Sequence, residues 1–284
     1  MRIFLIITLL IFNLNAKSLF SNDLQAESAK YIGALKDLLI ATQKTRGLTN
    51  SYLHGNIEAM LLVYGQREDM KEAISEMEAM SLASDPIIHS RTSAISNALI
   101  KLNRRALKKE ADMVFEEYTE QIHQILMLAQ TVSKRASKDL NPLGHKLLDV
   151  MMQTILPLCE YTGQFRGIGA GVAAKGVISQ EQKTKMFVLA NKVAKFSDRL
   201  IQDLREIVAR NKADCDIRIL DRLDDVTKKT SNYIKLTKRE LLNNQQINYN
   251  SDDYFDEGTD LISLYVKIFE MNNKSMVNNS KGWF

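Results

Sequence analysis

Residues 193–208 read VAKFSDRLIQDLREIV, and this stretch predicts the kind of structure that the chain forms. Its apolar side chains recur at Phe196, Leu200, Leu204 and Ile207, which is the spacing of one face of an α-helix. Comparable stripes run through residues 122–129 and 261–268, and no segment shows a convincing strand pattern with a period of two. Only three prolines and twelve glycines occur in 284 residues, so long helices are rarely interrupted. The sequence therefore predicts an all-α protein.

Short helix-breaking and helix-capping motifs separate the helical stretches. Asp85-Pro86 and Asn141-Pro142 are breaks of the kind found at helix boundaries, and Ser179 with Gln182 forms a capping-box pattern at a helix start. Pro157 falls inside a helical pattern and should kink or split it. Long helices with short connections pack economically as antiparallel bundles, so we expect two antiparallel four-helix bundles packed against each other.

The N-terminus predicts export. Residues 1–18 run from a basic start through an apolar block to small residues, which is the pattern of a secretory signal peptide cleaved after Ser18. An uncleaved anchor is the alternative, because Leu14 and Leu19-Phe20 could extend the apolar block. We therefore expect a helical domain over residues 19–272, a loose tail over residues 273–284, and a periplasmic or secreted location.

The overall charge disfavours several partners. The formal net charge of +4 falls by two when the signal segment is removed, and no basic arm is present, so neither nucleic acid nor an anionic membrane surface is expected as a partner.

Cys159 and Cys215 could form one bridge or remain free thiols in the core. Glu120 and His123 have the spacing of a helical di-iron motif, but such sites need the motif twice. No cofactor, metal or catalytic function is predicted.

One phrase occurs twice in the chain and suggests a binding site. Residues 42–48 read TQKTRGL and residues 162–168 read TGQFRGI, and each places an arginine in an apolar helical stretch. A guanidinium cannot shed its charge, so burying it without a counter-charge costs several kcal/mol, and two such groups could converge on one planar oxyanion. The alternative is that each arginine pairs with a nearby carboxylate, such as Glu58 or Glu160. The predicted ligand-binding residues are Arg46, Arg166, Gly47, Gly167 and Thr49.

The second phrase is also rich in glycine. Gly163, Gly167 and Gly171 share one helix face, although glycine destabilises a helix interior by up to about 1 kcal/mol relative to alanine. This spacing suggests the close approach of another backbone or of a ligand. Tight packing between helices is the alternative explanation.

The chain resembles the nitrate- and nitrite-sensing helical domain family, the NIT domain. The stretches that carry the resemblance are Gln43 to Gly55 followed by Gln66-Arg67, Tyr118 to Ile122, Glu160 to Gln182, and Tyr254 to Thr259. The resemblance implies two helical bundles that hold nitrate or nitrite between them through arginines, with binding shifting the bundles. Arg46 and Arg166 match the family's arginine positions, and Arg218 and Arg222 lie in the region where further basic residues are expected.

Two departures from the family pattern affect the functional hypothesis. Thr45 stands where relatives usually place an acidic residue, and we expect no output module of the kind to which relatives are commonly fused. We therefore expect an exported sensor of nitrate or nitrite that acts through a separate membrane-bound sensor or another exported protein. The sequence leaves a homodimer open. The alternative function is a helical adaptor or scaffold protein with no small-molecule ligand.

Overall fold

Residues 2–280 form nine α-helices joined by short turns. The computed structural model describes these residues, together with the side chains of residues 25–138 and 140–278. The helices are α1 (Arg2–Leu53), α2 (Ala59–Ala79), α3 (Pro86–Arg105), α4 (Ala111–Ala136), α5 (Pro142–Val150), α6 (Leu156–Lys175), α7 (Gln180–Arg210), α8 (Ile219–Thr237) and α9 (Ser251–Ser280). No strand occurs in this range, so the prediction of an all-α protein is confirmed.

Local signals place the helix starts where the sequence predicted them. The Asp85 carboxylate accepts hydrogen bonds from the backbone N–H groups of Ile87 and Ile88, at 3.0 and 3.2 Å, and so caps α3. Ser179 and Gln182 exchange reciprocal bonds of 3.1 Å at the start of α7. This capping box satisfies backbone donors that a helix terminus leaves unpaired.

Pro157 does not end its helix. A five-residue π-helical turn, Met151–Ile155, joins α5 to α6, and Pro157 lies in the first turn of α6. Proline lacks the N–H group that would continue the ladder, and its ring would clash in a regular helix interior. The π-helical turn absorbs this interruption, so the predicted kink takes the form of a widened turn and the chain continues into the second arginine phrase.

The helices fall into two sets of four neighbours when α5 and α6 are counted as one. In the first set, α1 packs against α2 and α4, and α4 packs against α3. In the second set, α6 packs against α7 and α9, and α8 packs against both α7 and α9. The most extensive contact between the sets is made by α1 and α6. Each of these two central helices carries one copy of the arginine phrase.

The C-terminal segment differs from the expected loose tail. Helix α9 continues to Ser280, and residues 281–284 lie outside the described part. Buried Asn272 donates from Nδ2 to the backbone oxygen of Leu147 at 2.9 Å, and Asn273 donates to that of Ala29 at 3.3 Å. These polar side chains have partners inside the protein, which is why a sequence rich in asparagine continues as a packed helix.

The backbone of the predicted signal peptide continues into α1, but the side chains of residues 1–24 lie outside the described residues. Within the part of the chain whose side chains the structure describes, residues 25–138 and 140–278, no helix combines the length and the apolar character needed to cross a bilayer.

Both cysteines are free thiols. Cys159 and Cys215 are buried and unbridged, so the alternative of a disulfide is not observed. Burial raises the pKa of the Cys159 thiol to about 12, so this group is neutral at physiological pH.

Candidate functional site

Helices α1 and α6 touch where the two arginine phrases meet. A Cβ atom added to Gly47 would lie 3.4 Å from the Cα atom of Gly167, and one added to Gly167 would lie 3.3 Å from the Cα atom of Gly47. The same added atoms would lie 2.6 Å from the Phe255 ring and 2.9 Å from the Phe115 ring, respectively. Glycine is therefore required at both positions by the close approach of two backbones and two aromatic rings.

The glycine face of α6 is filled by α1. A Cβ atom at Gly163 would lie 2.8 Å from the Gln43 side chain, and one at Gly171 would lie 2.2 Å from Nδ2 of Asn50. Asn50 also donates from Nδ2 to the backbone oxygen of Gly167 at 2.9 Å. Tight helix packing accounts for this face, and the alternative of direct approach by a ligand is not needed.

Arg46 lies at this junction and is fully buried. Its Nη1 and Nη2 atoms donate to the two carboxylate oxygens of Glu160, at 2.7 and 3.2 Å, and Nη1 also donates to Thr119 at 2.9 Å. The guanidinium carbon lies 4.7 Å from the centroid of the Phe115 ring. Arg46 is thus neutralised by a planar carboxylate of the protein itself. The expectation that both arginines present free donor forks is wrong for Arg46, and its pairing with Glu160 is the alternative that the sequence had left open.

Glu160 is held by more than Arg46. Gln43 and Gln164 each donate from Nε2 to this carboxylate at 2.8 Å, and the residue is only 5% exposed. Charge-assisted bonds of this kind are stronger than neutral ones, and here they fix the carboxylate against α1.

Arg166 is buried to the same degree but has no such partner. It is 1% exposed, Nη1 donates to Thr259 at 2.8 Å, and the guanidinium carbon lies 4.3 Å from the centroid of the Phe255 ring. No hydrogen-bond acceptor meets its Nε and Nη2 atoms, and no carboxylate oxygen of the described residues lies within ion-pair distance. The Nε–Nη2 edge is one of the forks by which arginine binds a planar oxyanion.

The acidic groups near Arg166 do not pair with it: Glu160 attracts its charge from a distance, but this carboxylate is already bonded to Arg46. Burial raises the pKa of Tyr233 well above its usual value and that of Cys159 to about 12, so both are neutral at pH 7. Burial lowers the pKa of Arg166 to about 10, and the charge of Arg46 acts in the same direction. Arg166 is therefore still a cation at neutral pH, and its charge is the uncompensated one at the junction.

The two arginines are surrounded by matching residues that the sequence analysis missed. Phe115 and Thr119 contact Arg46, and Phe255 and Thr259 contact Arg166. Each threonine hydroxyl donates to the carbonyl oxygen of its phenylalanine at 2.8 Å, so its oxygen is free to accept from the arginine. The signal was present as FEEYT at 115–119 and FDEGT at 255–259, and it supports a duplicated origin of the two halves.

The duplication is imperfect beside Arg166. Gly258 occupies the place that corresponds to Tyr118, and an added Cβ atom there would lie 2.8 Å from Cγ of Arg166 and 2.6 Å from the Tyr233 hydroxyl. The missing side chain gives Arg166 room beside α9.

The remaining predicted residues lie in different places. Thr49 is buried one helical turn after Arg46, and its hydroxyl forms no hydrogen bond of good geometry with the described residues. Arg218 and Arg222 are exposed and form ion pairs with Asp216 and Asp225, so they do not complete the site.

The fold and the junction together define an all-helical protein with an unneutralised arginine between two related halves, as expected of a receptor for a small anion. Comparison with known proteins agrees: the sequence model of the family described as nitrate and nitrite sensing matches residues 37–268. The chain belongs to this nitrate- and nitrite-sensing (NIT) family, which is a family of signalling domains. No curated protein matches the chain.

A solved structure has the same fold. The structure titled "Structure of the NasR transcription antiterminator" matches with a TM-score of 0.71 and 14% sequence identity, over 96% of this chain and 74% of that one.

Proposed function

We propose that this protein is an exported sensor that binds nitrate or nitrite at Arg166 and transmits occupancy by shifting its helices. The observation that carries the proposal is the buried, unpartnered Nε–Nη2 edge of Arg166. A planar monovalent oxyanion matches the geometry of this edge and supplies the charge that the surrounding residues lack.

The expected affinity is modest. Two charge-assisted hydrogen bonds contribute about 1.5 to 3 kcal/mol each, and ordering of the ligand and desolvation reduce this sum. Relief of an uncompensated buried charge adds to it. Together these contributions support dissociation constants in the micromolar to millimolar range, or about 4 to 8 kcal/mol.

Glu160 gives the site its selectivity in this proposal. It holds Arg46 in place with a carboxylate, so the junction takes one additional negative charge and not two. A divalent anion such as sulfate would leave an excess negative charge in a buried site, which is costly.

Helix α9 is the proposed route of the signal. Phe255 and Thr259 of α9 contact Arg166, and the same helix contacts α1 through Lys36 and Glu270, whose Nζ and Oε1 atoms are 3.1 Å apart. An anion between Arg166 and its surroundings would shift α9 relative to α1, provided that it binds one arrangement more tightly than the other. A membrane-bound sensor or another exported protein would detect this shift.

Calorimetric titration of the purified protein with nitrate, nitrite, chloride and sulfate tests the binding. Nitrate or nitrite should bind to the native chain and equally to Arg104→Met, which removes an exposed charge, whereas Arg166→Met should bind one anion fewer per chain. An unchanged number of bound anions in Arg166→Met would contradict the assigned site. No binding of any anion would favour the adaptor function.

The proposal that the protein is exported depends on the sequence of residues 1–18 and can be tested separately. The N-terminus of the protein isolated from its host should begin at Leu19 and should be found in the periplasmic or secreted fraction. A cytoplasmic chain that still begins at Met1 would contradict this part of the proposal.

A further inference from the structure

A second arginine with an unpartnered edge lies inside the first four helices. Arg67 is on α2, and its Nε and Nη2 atoms are buried without a hydrogen-bond acceptor, which are the same two atoms that Arg166 leaves free. Its guanidinium carbon lies 5.6 Å from the centroid of the Tyr64 ring, and Tyr64 is half exposed. The pairing that neutralises Arg46 is therefore missing here as well.

The groups around Arg67 donate more hydrogen bonds than they accept. Arg67 and Thr49 both lie within reach of the Tyr118 hydroxyl but form no well-aligned hydrogen bond with it, and this hydroxyl donates to Oδ1 of Asn103 at 2.7 Å. The Thr49 hydroxyl is fully buried and forms no hydrogen bond of good geometry with the described residues. A ligand that meets Arg67 and Thr49 must consequently accept hydrogen bonds.

No carboxylate of the described residues forms an ion pair with Arg67. Burial raises the pKa of Tyr118 to about 12, so its phenol is neutral at pH 7. Glu117 is the closest carboxylate to this hydroxyl in sequence, but it already pairs with Lys109 and Arg105. An anion from solution is the group that would satisfy both the charge and the free donors.

We propose that Arg67, Thr49 and Tyr118 form a second anion-binding niche, which takes a small monovalent inorganic anion such as nitrate or chloride. Thr49 lies one helical turn from Arg46, and Tyr118 directly precedes Thr119, so the niche adjoins the junction through α1 and α4. The partial exposure of Arg67 gives the anion a route from solvent. The niche belongs to the first half alone, because Gly258 replaces Tyr118 in the second.

The test counts anions bound per chain. The native protein, Arg67→Met, Arg166→Met and the exposed control Arg104→Met are titrated with sodium nitrate and separately with sodium chloride, at low ionic strength in a calorimeter. We expect two sites in the native chain and in Arg104→Met, and one site in each of the other two variants. Arg67→Met keeps a long side chain without charge or donors, so the loss of a site reports on the guanidinium itself.

The outcomes separate this inference from the proposed function. One site in the native chain that is lost in Arg166→Met and retained in Arg67→Met overturns the niche and leaves the sensor function standing. A site that survives Arg166→Met and disappears in Arg67→Met supports the niche, even where the junction binds nothing. The absence of any binding to the native chain overturns both.

A milder variant, Tyr118→Phe, tests the niche even if Arg67→Met does not fold. Tyr118→Phe keeps the ring and the arginine and removes only the hydroxyl that positions them, so we expect at least a tenfold weaker second site with an unchanged helical circular-dichroism spectrum. Unchanged affinity for both anions in Tyr118→Phe would remove Tyr118 from the niche and overturn the assignment as stated.

Discussion

The strongest consequence of the structure concerns Glu160, the carboxylate that neutralises Arg46. Glu160→Ala removes four hydrogen bonds, of 2.7, 2.8, 2.8 and 3.2 Å, from a residue that is 5% exposed. Alanine is a good helix former, so the backbone of α6 is not weakened by the change. The loss comes from leaving Arg46 as a second uncompensated charge.

The magnitude follows from the burial of both partners. Breaking a buried ion pair by removing one member costs about 3 to 5 kcal/mol, which is a large part of the stability of a typical protein. At about 2 to 4 °C per kcal/mol for a large domain, the midpoint of thermal unfolding should fall by roughly 6 to 20 °C. Urea unfolding followed by circular dichroism gives the free energy directly.

A small planar anion added to the solution should restore part of the stability that Glu160→Ala loses. Truncation leaves space for a planar oxyanion beside Arg46, Gln43 and Gln164, so formate or nitrate should restore stability to Glu160→Ala. At 100 times its dissociation constant, a ligand that binds only the folded state adds about 2.7 kcal/mol. Sulfate at matched ionic strength should restore less, because its shape and charge fit the vacated place poorly.

Glu120→Ala is the matched control, since Glu120 is an exposed glutamate on α4. It should change the free energy of unfolding by no more than about 0.5 kcal/mol, and formate should stabilise it less than Glu160→Ala, because it has no vacated place beside Arg46. A free energy for Glu160→Ala within 1 kcal/mol of this control, or an equal response of both variants to formate, would refute the reasoning about the buried pair.

Three further predictions concern packing, pH and thiol chemistry. Gly167→Ala should destabilise the protein by about 1 to 3 kcal/mol in urea unfolding, because its new methyl group meets backbone and an aromatic ring. Gly33→Ala on α1, where no atom lies within 4 Å of the added group, should instead be neutral or stabilising by up to about 1 kcal/mol. The hydrogen bond from Arg135 and those from the backbone lower the pKa of Asp85 in the folded protein. The contribution of the ionised carboxylate to the free energy of unfolding is therefore complete above the unfolded pKa of about 3.9, and it is lost as the pH falls through the lower pKa of the folded state. Asp85→Asn keeps a competent helix cap and should flatten the acid dependence of stability, whereas an unchanged acid-unfolding curve would contradict this. The Cys159 thiol should react with a thiol reagent only after unfolding, as measured by absorbance with and without urea, and rapid reaction in the native state would show that it is accessible.

Some features of the site could be predicted from the sequence because they depend on local patterns. The spacing of apolar residues predicted the helices, and the repeated phrase placed an arginine beside a glycine on each central helix. The glycine spacing also predicted a close contact, which proved to be that between α1 and α6. The second repeat, at Phe115–Thr119 and Phe255–Thr259, is also present in the sequence, but its two copies lie at a different separation from those of the arginine phrase, so the two repeats do not align as one pattern.

The sequence by itself determined that two permanent charges would lie in apolar helices. Only the tertiary structure decided which of them is neutralised. Glu160 precedes Arg166 by six residues on one helix, and residues at that spacing do not face each other, so its carboxylate points away from its neighbour in sequence. The close contact of Gly47 with Gly167 brings it instead against Arg46 of the other half, and Arg166 is left as the charge that a ligand can satisfy.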